Sequence, residues 1–291
     1  MPRSRVEIGE SLEEKVSKEH VKKVLLEIND PLVRGYFKNM VKFRTGVDPA
    51  NANELDLEAS IDFLKHVWAM CLDWGHQRFE FIDQSIRQLD EFLKTFNSKD
   101  KIHNLQSFSK KLENYSAVKP RKSTTLHDPS NEALKLTRLL TGFKSVRIKT
   151  AALIMRFVCL DCGFFEVDKN KLIPPLDRVN YRMCKKLFGK ENIEAKLGKP
   201  KPKGTFNEKA TMAFNDLGKD VLGEDKILID NLWFIGHFYH NEPFQDKRLN
   251  CQVIEGVKIL ELPYLQDIEL QNSCPFSKYG CIKSREDTNA P

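Results

Sequence analysis

Apolar side chains recur every three or four residues along most of the chain: Val21, Val24, Leu25 and Ile28, then Ile61, Leu64, Val67, Trp68 and Cys71, then Phe81, Ile86, Leu89 and Phe92. That period marks amphipathic helices. It predicts helices near 11–29, 31–43, 55–74, 77–96, 101–115, 130–142, 148–162, 177–188, 207–217 and 225–240, with capping-type starts at Ser11, Asp30 and Ser130. Strand signals are few, so the expected fold class is all-α. Two stretches break the pattern, 116–131 and 196–209, both rich in Pro, Lys and polar turn formers. They read as solvated loops, with a basic arm along a phosphate backbone as the alternative. No repeat of solenoid period is present.

Composition narrows the class. The 291 residues are 41% hydrophobic and 30% charged, with 14 Gly and 13 Pro, which fits a globular chain and excludes low-complexity disorder. This length suits one large unit or two closely packed halves. No apolar run approaches the roughly 18 to 20 residues that span a bilayer, and the opening MPRSRVEIGESLEEK lacks an apolar signal core. A soluble intracellular chain with no membrane partner is expected. The 47 Lys and Arg against 41 Asp and Glu give a net charge of +6, which permits a polyanion-binding face without requiring one. Seven cysteines, an odd number, argue for reduced thiols over a disulfide framework.

The segment carrying chemistry is 139–187. A helix ends near Gly142, a short turn follows, and Lys149, Thr150, Ala151 and Ala152 open a second, apolar helix running to Gly163. Pro174-Pro175 then leads through Leu176 and Asp177 into a third helix. A lysine in a first helical turn sits at the positive end of the dipole, which disfavours its protonated form, and partial burial acts the same way. A carboxylate beside it would activate the amine or stabilise positive charge at a sugar. Each residue also has a plainer reading: Lys149 as a solvated surface lysine, Asp177 as a helix N-cap.

These residues resemble the helix-hairpin-helix DNA glycosylases of base excision repair. The family hairpin reads Leu-Pro-Gly-Val-Gly-x-Lys-Thr-Ala, and Phe143-Lys144-Ser145-Val146-Arg147-Ile148-Lys149-Thr150-Ala151 lies over it, with Lys149 at the position of the Schiff-base lysine. The block Val-Asp-x-His-Val-x-Arg-Val, which carries the family's catalytic aspartate, is matched by Leu176-Asp177-Arg178-Val179-Asn180-Tyr181-Arg182-Met183. The hairpin departs from the pattern at Lys144, Ser145 and Arg147, where the family has proline and two glycines. The long interval from Lys149 to Asp177 is similar to that of the archaeal 8-oxoguanine branch.

The resemblance implies two helical layers flanking a cleft, in a single unit over 1–291 with subdomains 1–129 plus 230–291 and 130–229. It implies a monomeric glycosylase and AP lyase that releases an oxidised base from damaged double-stranded DNA in the cytoplasm, nucleoid or nucleus. Lys149 and Asp177 would be catalytic, and Lys144, Ser145, Val146, Arg147 and Arg178 would contact DNA. No cofactor is required. A noncatalytic nucleic-acid-binding module and a nucleoside N-glycosidase are the competing functions.

Two further sets of residues are candidates. Trp68, Trp74, His76, Phe79 and Phe81 are candidates to hold a flipped base, although their spacing on amphipathic helices is what a plain core requires, and core is the favoured reading. Endonuclease III relatives often carry four clustered cysteines, and that cluster is absent here. Cys159 and Cys162, with Cys274 and Cys281, form an alternative ligand set, set against a reading as core and free thiols; Cys251 lies nearby in sequence.

Overall fold

A computed structural model describes residues 16–74, 79–120, 128, 130–201, 205–239 and 275–276. The fold is all-helical, with no strand among the described residues and one isolated bridge, Lys201 to Thr205.

Helix α1 (Lys18–Glu27) is capped by Ser17, whose hydroxyl accepts the His20 amide at 3.2 Å. A π-helical turn, Asn29–Arg34, carries the chain directly into α2 (Gly35–Thr45), which ends on left-handed Gly46. Asp30 therefore caps nothing; it lies inside the turn and pairs with Arg34 at 3.2 Å. Ser11 is outside the described residues. Next come α3 (Leu57–Trp74), α4 (Phe79–Leu93), α5 (Leu105–Glu113) and α6 (Glu132–Leu140). The cap of α6 is Asn131, one residue later than expected, while Ser130 bonds Asp128.

Helix α7 (Ile148–Met155) passes into a π-helical turn, Arg156–Asp161. It is followed by α8 (Arg178–Phe188), α9 (Lys190–Leu197) and α10 (Glu208–Leu222), and a 3-10 segment, Gly223–Asp230, leads into α11 (Asn231–Tyr239). Helix α9 has no counterpart in the sequence pattern. It buries only Ile193 and Leu197, too short an apolar stripe to register as a period.

One hydrophobic cluster runs from Val16 to Ile235 and takes in Phe276, so the core is continuous across the expected subdomain boundaries. Helix α7 packs on α3, α6 and α10, and α8 packs on α9 and α11. The α8–α11 approach is close at Gly236, where a Cβ would stand 2.5 Å from Val179 Cγ1 and 2.8 Å from Met183 Cγ.

Candidate functional site

The turn between α6 and α7 is clamped from behind. Phe143 is buried against the Trp68 ring, with centroids 4.8 Å apart. Gln88 of α4 accepts the Lys144 amide at 2.8 Å and donates to the Ala117 carbonyl at 3.2 Å. Val146 is fully buried and its N–H bonds Phe143 O, so its part in the turn is packing. Lys144 and Arg147 are exposed and Ser145 is half-buried. Ser145 has φ 62°, the left-handed region that glycine enters without penalty, and it occupies the first glycine position of the hairpin pattern. Arg147, at the second, is extended (φ −108°, ψ 174°), a conformation open to any residue.

Of the eight residues of α7, Lys149 alone escapes burial. Its side chain is 36% exposed, and Nζ lies 3.5 Å from Asp177 Oδ2. No side chain caps α7 at Arg147, so its first-turn amides and Lys149 share an open, electropositive end. Asp177, 12% exposed, caps α8: Oδ1 accepts the Asn180 amide at 2.9 Å while Oδ2 faces the lysine. The plain reading of Asp177 as an N-cap is borne out, and the cap occupies one oxygen, leaving the other to pair with Lys149. Arg178 is exposed one residue on.

Sequence reasoning missed the wall on the α11 side. Trp233 and His237 stack with centroids 4.7 Å apart and 9° between planes, and Tyr36 and Phe37 lie 6.4 and 6.3 Å from Trp233. Burial pushes the His237 pKa down to about 4, against the opposing pull of the Asp177 charge, so the ring is neutral at pH 7. The apolar run of α11 gave no signal that Trp233 and His237 stack, or that His237 lies near enough to feel the Asp177 charge. Of the aromatic residues weighed from sequence between pocket and core, three have described side chains. Trp68 is core, donating to Ser85 at 3.0 Å. Phe79 is 82% exposed and Phe81 36%. The Trp74 side chain and His76 lie outside the described residues.

Beneath the pair is a buried ionic cluster. Arg156 is fully buried; it bonds Asp230 Oδ2, donates to Asn231 Oδ1 at 3.1 Å, and has Nε 3.5 Å from Asp161 Oδ2. Its guanidinium lies 4.6 Å over the Phe37 ring. Burial raises both carboxyls, that of Asp161 to about 6, with Arg156 opposing the shift in each case. A second unusual amine is Lys226, which burial lowers to about 8 while it donates to Asn215 Oδ1 at 2.6 Å.

Cys71, Cys159, Cys162 and Cys184 are buried free thiols whose pKa values burial pushes up. No group of three His, Cys, Asp or Glu among the described residues has metal-binding geometry. Cys251, Cys274 and Cys281 lie outside those residues. No described helix is long and apolar enough to cross a membrane. No protein-family model matches the chain, and no curated protein or solved structure is significantly similar to it.

Proposed function

We propose that this chain is a DNA glycosylase and AP lyase of helix-hairpin-helix type, acting on an oxidised base in duplex DNA. The observation that carries the reading is the meeting of Lys149, the one surfacing residue of a buried helix, with the Asp177 carboxylate at 3.5 Å. A charged side chain breaking the pattern of an otherwise buried helix costs packing, and such local conflicts concentrate at functional sites. The left-handed Ser145 supports the hairpin reading, because the chain adopts there the backbone suited to the family's glycine.

In the proposed reaction the Lys149 ammonium passes a proton to Asp177 Oδ2. The free amine attacks C1′ of an extruded nucleotide, and the C1′–N bond breaks with its electron pair leaving on the base, which takes up a proton. Opening of the sugar gives an imine between Nζ and C1′. Loss of a C2′ proton then expels the 3′ phosphate by β-elimination, and water releases the lysine. Asp177, once ionised again, stabilises positive charge at the sugar. The open N-terminus of α7 with Lys144, Arg147 and Arg178 would hold the backbone phosphates. The base would enter beside the stacked Trp233 and His237.

Borohydride reduction of the imine tests this on a duplex containing 8-oxoguanine. Wild-type chain is expected to form a covalent adduct and Lys149→Ala none. A wild type that binds the duplex without forming an adduct would leave the noncatalytic binding module as the better account.

A further inference from the structure

Asp177 is useful only if its second oxygen stays on the lysine, and the α8 cap alone does not ensure that. An N-cap at a helix end frays, and the two prolines before Asp177 offer no N–H groups to tie the segment down. The restraint comes from Asn180, which is 1% exposed. Its Nδ2 donates to Pro175 O at 3.0 Å and to Asp230 Oδ1 at 2.6 Å. The segment entering Asp177 and the first turn leaving it are therefore pinned to one carboxylate on a different element. Both partners of Nδ2 are acceptors, so only one amide orientation satisfies them. Asn180 Oδ1 is left buried without a hydrogen-bond partner, a cost accepted to hold that orientation.

Asp230 is itself held from below by Arg156, which reaches Asn231 as well. Asn231 in turn donates to the Leu25 carbonyl at 3.4 Å and to Asn29 Oδ1 at 3.1 Å. The anchor thus extends into the N-terminal helices.

We infer that Asn180 and Asp230 are positioning residues which, braced by Arg156, hold the Asp177 carboxylate against Lys149. The side chain at 180 has to be a neutral amide. An aspartate there would crowd a third carboxylate between Asp177 and Asp230, and an aliphatic residue would strand two buried acceptors. Neither residue touches the substrate; both act through the orientation of Asp177. The inference rests on the proposed function for its consequence in catalysis, while the tether itself can be read without activity.

The test compares full-length wild type, Asn180→Ala and Asp230→Asn. Asn180→Ala retains the backbone amide that caps with Asp177. Asp230→Asn keeps its volume but leaves a single acceptor oxygen for the two donors Asn180 Nδ2 and Arg156, and sets an NH2 against one of them. Three quantities are measured: the single-turnover rate of borohydride-trapped adduct at saturating enzyme, affinity for a duplex carrying an uncleavable tetrahydrofuran abasic site, and hydrogen exchange of the residue 180 amide. Each variant is expected to lose about 10- to 100-fold in rate, the loss produced by misplacing a reacting group by about 1 Å. Affinity should stay within about twofold, and exchange at residue 180 should accelerate more than at the core amides of α7. A lowered melting temperature with an unchanged rate in the folded fraction would reduce both residues to packing and overturn the inference. Should wild type give no adduct, the proposed function falls, and exchange at residue 180 alone decides the tether: selective acceleration supports it, and uniform exchange overturns it. If Asn180→Ala does not fold, Asp230→Asn carries the same three readouts.

Discussion

Lys149 and Arg156 leave the same helical run seven residues apart, and their surroundings differ in kind. Arg156 is sealed in, with Asp161, Asp230, Asn231 and the Phe37 face around its guanidinium. Lys149 meets one carboxylate at 3.5 Å and is 36% exposed. The buried cation is consumed by structure: removing it strands two carboxylates, whereas its presence adds little net stability over a well-packed apolar core. The half-exposed cation stabilises almost nothing, since pairs of that kind are worth about 0 to 1 kcal/mol. Its placement at an uncapped helix end has value only if something arrives to use it.

Paired substitutions break that comparison most sharply. Arg156→Met should cost about 3 to 5 kcal/mol or prevent folding, by leaving Asp161 and Asp230 uncompensated. Lys149→Ala should move stability by less than about 1 kcal/mol. Chemical denaturation of both variants checks this, and similar losses for the two would erase the distinction between the sites.

The pH dependence of stability is the next largest effect. Burial raises Asp161 from 3.8 to about 6, so between these values the folded chain holds a proton that the unfolded chain has released. The Asp161 contribution to stability is present below about pH 4 and lost as pH rises to about 6. His237 acts oppositely, since its value falls from 6.5 to about 4 and its contribution is lost as pH drops through that window. The two partly cancel in the wild type. Asp161→Asn removes one of them, so its stability relative to wild type should rise by on the order of 2 to 3 kcal/mol between pH 4 and 7 and then level off. A difference independent of pH, followed by thermal unfolding, would show that Asp161 does not hold its proton as described.

The smallest expected effect is at Ser145. Replacing it with glycine relieves a left-handed backbone at about 1 kcal/mol, less the extra freedom glycine gives the unfolded chain. A melting temperature raised by no more than about 2 °C is expected, and a lowered one would show that the serine side chain matters more than its φ.

Most helices were legible because burying a stripe on each imposes its period on the sequence. Helix α9 was not, with only two buried residues, and the π-helical turns at 29–34 and 156–161 leave no pattern distinct from an α-helix. Within the site, Lys149 and Asp177 stood out through short motifs with fixed spacing. Asn180, Asp230 and Arg156 did not, although Asn180 lies inside the quoted block. Their role depends on contacts spanning 50 and 74 residues, which no local spacing encodes. Trp68 was legible only in part: an aromatic at helical spacing favours core over pocket, and the partners Phe143 and Ser85 bear the core reading out.

If the surfacing amine of α7 is a nucleophile, borohydride must trap it on an 8-oxoguanine duplex. Wild type is then expected to give a covalent protein–DNA adduct and Lys149→Ala none, with the variant folded and still binding the duplex. Wild-type amounts of adduct from Lys149→Ala would contradict it and direct attention to another amine, Lys226 first, the lysine that burial lowers to about 8.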